Sequence, residues 1–182
     1  MSFLTDCAVL PDHIEITCND YKHGGFPSFA IVNKDATCVG DWANSTKWLA
    51  DITAGKVKVV NRVKVGIPKP NVTFIDNPVA NGSVQIADTF EWKFEGIDAN
   101  KSTLNDSFYT TLNNKEAYLV LWNDAEAEIV VIDKKTTFVV TPVYPSTNKE
   151  IQMYDIQANW TSSVDYFPTS YTAPTGVFST GS

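Results

Sequence analysis

Apolar and polar positions alternate through Val84, Ile86, Phe90, Trp92 and Phe94, a period of two that predicts a strand with one buried face. The pattern breaks at Gly96 and Asp98-Ala99-Asn100. A short stretch from Ser102 to about Asn113 then carries Leu104, Phe108, Thr111 and Leu112 at helical spacing, with Ser102 or Thr103 as the cap. Three apolar, β-branched runs follow: Tyr118 to Trp122, Glu128 to Ile132, and Thr137 to Val140. The polar pieces between them, Asp124-Ala125 and Lys134-Lys135, read as turns, so the runs predict neighbouring antiparallel strands. A βαβ crossover around the helix is the alternative, but links only a few residues long favour the antiparallel sheet.

The flanks carry the same periodicity more weakly. Ile14 to Cys18 and Phe29 to Val32 read as strands about the Gly24-Gly25 turn, and Ile151 to Trp160 reads as a long closing strand. Between Trp42 and Gly55, Asn44, Ser45 and Thr46 are possible N-caps, and Trp48, Leu49 and Ile52 lie three to four apart. Gly55 stands where a helix would end, so a two-turn helix competes there with a loop or a strand edge. From Gly66 to Gly82, the prolines at 68, 70 and 78 and Asn81-Gly82 predict a long loop or protruding hairpin. The fold class expected is mainly β: an antiparallel β-sandwich or barrel with one flanking short helix, a long loop and extended termini. The 182 residues form a single domain. It has an N-terminal extension (about 1–45), a protruding loop (about 66–82) and a C-terminal arm (about 168–182), which either frays or docks Tyr171 and Phe178 on a partner.

Charge sharpens this picture. The chain carries −7 overall, yet Lys56, Lys58, Arg62, Lys64 and Lys69 fall in one stretch without an acid, leaving −12 on the remainder. A strand there puts Lys58, Arg62 and Lys64 on one face. That face is either solvated, with lysines guarding a sheet edge, or a contact for an acidic surface on another copy. An acidic body argues against binding nucleic acid by phosphate neutralisation. No run approaches the roughly 18 apolar residues of a membrane helix. The N-terminus shows no basic leader followed by an apolar core, so six Asn-x-Ser/Thr triplets, at Asn44, Asn71, Asn81, Asn100, Asn105 and Asn159, reflect a chain rich in those residues.

Candidate chemistry is sparse. Three cysteines, Cys7, Cys18 and Cys38, are read as reduced, partly buried thiols, since an odd number suits no disulfide framework. Cys18, His23 and Cys38, with Cys7 or His13, would make a metal site, but no close Cys pair supports it, and no metal or other cofactor is expected. Only His13 and His23 are available as bases, and no Gly-x-Ser-x-Gly occurs. The acids at 124, 126, 128 and 133 sit at a turn and read as a solvated corner. Five tryptophans (Trp42, Trp48, Trp92, Trp122 and Trp160) are spread over separate elements and suit core or interface anchors better than a carbohydrate face. No catalytic residue is assigned, and the chain is expected not to be an enzyme.

The strand Thr89 to Phe94, the helix near 102–113, the strands through Val140, and the closing strand Tyr154 to Trp160 with its proline-containing tail come in a recognisable order. In that order and in overall character the chain resembles the tail tube (major tail) proteins of long-tailed bacteriophages, over residues 50 to 182. The resemblance implies a virion structural protein, made in the host cytoplasm, that self-assembles into stacked rings. Its partners would be copies of itself and other virion proteins, and DNA would pass through an acidic lumen without specific binding and without any membrane partner. It implies inter-subunit contacts at Lys58, Arg62 and Lys64, with Tyr171 and Phe178 of the arm as a second set, and a loop near 56–82 that meets the next ring. A capsid auxiliary or head-tail connector protein is the second reading. A carbohydrate- or ligand-binding β-sandwich module is the third.

Overall fold

Two of the most apolar stretches in the chain are strands buried on both faces. In the computed structural model, which describes residues 25–76, 85–99, 101, 103–123, 127–146, 152–163 and 166–178, β1 (Phe26–Val32) and β5 (Glu116–Asn123) pair antiparallel, with Ala30 opposite Val120. Their apolar runs lack alternation because neither face meets water. β2 (Val57–Gly66) flanks β1. β6 (Glu128–Val143) flanks β5, β7 (Met153–Ser163) follows β6, and β4 (Gln85–Asp98) follows β7. β4 then pairs back to β2 through Lys64–Ile97, Val65–Gly96 and Gly66–Glu95, so six antiparallel strands close into a barrel. Two short strands lie outside the cycle: β3 (Asn71–Asp76) on β4 and β8 (Thr169–Thr172) on β6. The mainly antiparallel β class predicted from periodicity is the class observed.

Alternation sorts side chains into two cores. Phe29, Phe94, Leu119, Leu121, Ile132, Phe138 and Ile156 fill the barrel, with Phe29 and Phe94 edge to face at 5.3 Å. The outer faces of β1, β5 and the first half of β6 bury Val32, Val120, Trp122, Ile129 and Val131 under Cys38, Trp42 and Trp48. α1 (Ser45–Thr53) supplies Trp48. Its start is fixed by Asn44, whose side chain accepts from the Lys47 N–H. Its end is fixed by Gly55 at φ +73, where the Lys56 and Gly55 N–H groups bond back to Asp51 and Ile52. A helix competing with a loop in the sequence is therefore a helix, held by both caps and by one large buried ring.

α2 (Thr103–Leu112) lies where expected, and Phe108 and Leu112 of the expected face pack on the barrel core, but Tyr109 joins them and Thr111 does not. Tyr109 and Leu112 enter the barrel core, while Thr111 is exposed and its hydroxyl bonds to the Ser107 carbonyl. The Tyr109 hydroxyl donates to buried Asp98 at 2.7 Å. Burial and that carboxylate push the phenol far above its ordinary pKa. Lys101 and the Tyr154 hydroxyl both bond to Asp106, tying the helix to β7. The Asn113 amide pairs with both the N–H and the carbonyl of Val140, imitating one rung of a strand.

Two sequence readings need correction. Lys134-Lys135 is not a turn: β6 runs unbroken for 16 residues, exchanging β8 for β7 on one edge as it passes Asp133, Lys134 and Lys135. Those three residues are exposed because the strand changes neighbours there. Gly96 does not break β4. A Cβ at Gly96 would lie 2.6 Å from Val65 Cγ1, so the missing side chain lets β2 approach and close the barrel. Gly96→Ala should accordingly cost about 1–3 kcal/mol by overpacking, read as a lower urea midpoint. An unchanged midpoint would mean that β2 yields without cost.

Candidate interaction surface

The segment predicted as a loop or protruding hairpin is a hairpin. β3 pairs with β4 from Asn71–Glu91 to Asp76–Gln85, continuing the register of the β2–β4 closure past Ile67 to Pro70. Residues 77–84, which include Asn81-Gly82, lie outside the described residues. Among the described residues, β3 has a neighbour along one edge only. The hairpin exposes apolar side chains on both faces: Phe74 is 55% exposed, Ile75 44% and Ile86 41%. Ile75 and Ile86 are cross-strand partners, so two exposed branched side chains sit together.

At the hairpin's base lies the basic strip, whose geometry departs from simple alternation. Between Ser28–Asn61 and Phe26–Val65, β2 spends two more residues than β1, and Arg62 takes φ +62. This bulge resets the faces. Before it, Val57 and Val59 pack in the outer cluster and Val60 against the barrel core; after it, Val63 and Val65 face the barrel. Lys64, between Val63 and Val65, therefore lies on the outer face and Arg62 at the bulge beside it, while Lys58 lies on the opposite face, with Val60. The expectation of three cations on one face fails for a local reason: the positive-φ residue Arg62 breaks the period of two, so the valines before and after it face opposite ways. All three are exposed and form no ion pair with a described residue. Lys64 also borders a cavity of about 740 Å³ at the barrel closure, walled by Phe26, Val65, Ile67, Trp92 and Ile97.

The C-terminal arm divides the other two candidates. Tyr171 lies in β8, opposite Ile129, and is 37% exposed. Phe178 is engaged within its own chain: its ring stacks on Trp122 at 5.5 Å and meets Trp48 edge-on at 5.7 Å. The Thr175 N–H donates to Ser45 Oγ, fastening the tail to the start of α1. The arm thus covers the outer core of its own chain.

Of the cysteines, Cys38 is free and buried. Its backbone N–H donates to Asp51 Oδ2 at 2.8 Å, and the Thr37 hydroxyl donates to the same oxygen. Burial, then the Asp51 carboxylate, push the thiol up to about 12, so Cys38 is a structural thiol and no nucleophile. Burial opposes ionisation of Asp51, but the hydrogen bonds from Cys38 and Thr37 outweigh it and hold the carboxyl below its usual range. Cys7, Cys18, His13 and His23 lie outside the described residues. Among the described residues, no three metal-ligating side chains cluster and no helix is long and apolar enough to cross a membrane. No protein-family model matches the chain, and no curated protein is detectably similar to it in sequence.

Proposed function

We propose that this protein is a virion structural subunit that assembles with copies of itself, forming the stacked rings of a phage tail tube through which DNA passes. The observation that carries the reading is the β3–β4 hairpin, a two-stranded projection with one edge unpaired among the described residues and exposed apolar side chains on both faces. A solitary protein protects such an edge with charge, proline or a covering element. Here the apolar residues sit at 74, 75 and 86, while the cations lie lower, at Arg62 and Lys64. The pattern suits a contact whose centre is apolar and whose rim is charged. An acidic body meeting a local basic patch gives two copies a preferred orientation. The DNA is a passenger: a net charge of −7 repels phosphate.

Negative-stain imaging and sedimentation of the purified protein test the reading. Tubes or stacked rings are the expected result, and a monomer at every concentration overturns it. Particles that coat capsids without forming tubes would point to the capsid auxiliary role. Because the bulge separates the cations, Arg62→Glu with Lys64→Glu should block assembly and leave the circular dichroism spectrum unchanged, whereas Lys58→Glu alone should assemble. Normal polymerisation of the double variant would make the strip a solvated face.

A further inference from the structure

The described residues begin at Gly25, and Gly25 itself lines the cavity of about 740 Å³ at the barrel closure. A Cβ there would meet nothing within 4 Å, so what the position needs from glycine is its φ of +96, a turn placed at the cavity mouth. The cavity has two parts. Phe26, Ile67, Trp92 and Val130 pack against the barrel core and form its floor. Glu95, Ile97, Asp155 and Gln157 alternate with buried Phe94, Gly96, Tyr154 and Ile156, so they stand on the outer face of β4 and β7. Ile97 is 44% exposed, and its cross-strand partner is Lys64.

The sequence leading into this cavity has a matching pattern. Residues 1–24 lie outside the described residues. Within them Ile14, Ile16 and Cys18 alternate with Glu15 and Thr17, so an extended segment there has one apolar face and one polar. A hairpin about Gly24-Gly25 would lay that segment on β1. Both edges of β1 are taken from Ser28 to Val32, one by β2 and the other by β5. The predicted strand therefore needs another surface. Cys18 is seven residues from Gly25, a reach of up to roughly 25 Å, ample for a cavity of this volume. The charges agree as well: residues 1–24 hold four acids and one lysine, while Lys64 on the cavity rim and Arg62 beside it form no ion pair with a described residue. A free ligand must arrive by diffusion, whereas a segment on so short a tether is present at about millimolar effective concentration.

We propose that residues 14–18 dock in the cavity of their own chain, with Ile14, Ile16 and Cys18 against Trp92 and Ile97 and with Glu15 at the rim near Lys64. This docking is independent of the hairpin contact. Thiol trapping tests it on the full chain. Cys7→Ser leaves Cys18 as the one thiol of the segment, and Cys38 is buried. In that background Ile97→Cys places a thiol in the cavity, and Ala50→Cys, on α1, places one away from it; both alter exposed residues. Under diamide, Cys18 should link to position 97 at least about tenfold faster than to position 50, with peptide mapping to identify the bond. A non-reducing denaturing gel shows whether the link lies within one chain or joins two, whatever the state of assembly. Adding Ile14→Asp with Ile16→Asp keeps the tether, removes the apolar face and should slow the link about tenfold. Equal rates at the two positions, a link that joins two chains, or a rate indifferent to the aspartates overturns the proposal; the second of these would make a neighbouring copy the occupant.

Discussion

Trp48→Ala is expected to remove about 3–5 kcal/mol of stability, lowering the melting temperature by roughly 6–20 °C for a chain of this size. Trp48 is fully buried, its Nε1 donates to the Trp42 carbonyl at 2.9 Å, and its ring touches Trp42 and Phe178. Truncation would leave a cavity beneath α1 and orphan that carbonyl. The whole domain is worth only about 5–15 kcal/mol, so the loss is a large part of the total. Trp48→Phe, which retains a ring, should lose distinctly less. Because Phe178 rests on Trp48, the alanine variant should also release the tail, seen as faster proteolysis beyond Thr172. An unfolding free energy from urea titration within about 0.5 kcal/mol of the parent's, on the scale of ordinary surface substitutions, would mean the outer core does not depend on this ring.

Assembly should be abolished by Phe74→Thr with Ile75→Thr. Both side chains are about half exposed, so the folded monomer loses little, and threonine keeps the β-branched shape that suits a strand. If the hairpin is buried in a neighbouring copy, each lost side chain is worth about 1.5–3 kcal/mol there. Together they should shift the concentration for assembly upward by roughly 10²–10⁴-fold. Sedimentation velocity across a dilution series, with the melting curve as control, reads this directly. Rings forming at the parent concentration would place the contact elsewhere.

What the sequence made legible is what local chemistry decides. The caps of α1 stand in Asn44 and Gly55, the doubly buried strands in their unbroken apolar runs, and the hairpin in the prolines at 68 and 70 with strand-like residues on either side. What stayed hidden depends on partners distant in the chain. Gly96 reads as a breaker until Val65 is known to press against it. Lys134-Lys135 reads as a turn until β8 and β7 are seen to take successive halves of one strand. Arg62 has no residue type that announces a positive φ, so the bulge that divides the basic strip leaves no trace in the pattern of valines and lysines. Tyr109 falls between the expected helical contacts. Its burial is explained only by Asp98, 11 residues away on another element. The tryptophans read as anchors, and Trp42, Trp48, Trp122 and Trp160 are buried, but the unpartnered N–H of Trp160 follows from no local pattern.

The closed cycle of β2, β1, β5, β6, β7 and β4 leaves little main chain for another molecule to bond with, yet among the described residues β3 and β8 each retain an outer side with no neighbour. These two sides belong to different regions of the barrel and present different residues. A molecule with a single such side can pair only with its own kind across a twofold axis and stops at two. One with two dissimilar sides permits each copy to hand the join onward, and the rotation per step then decides between a closed circle and an endless thread.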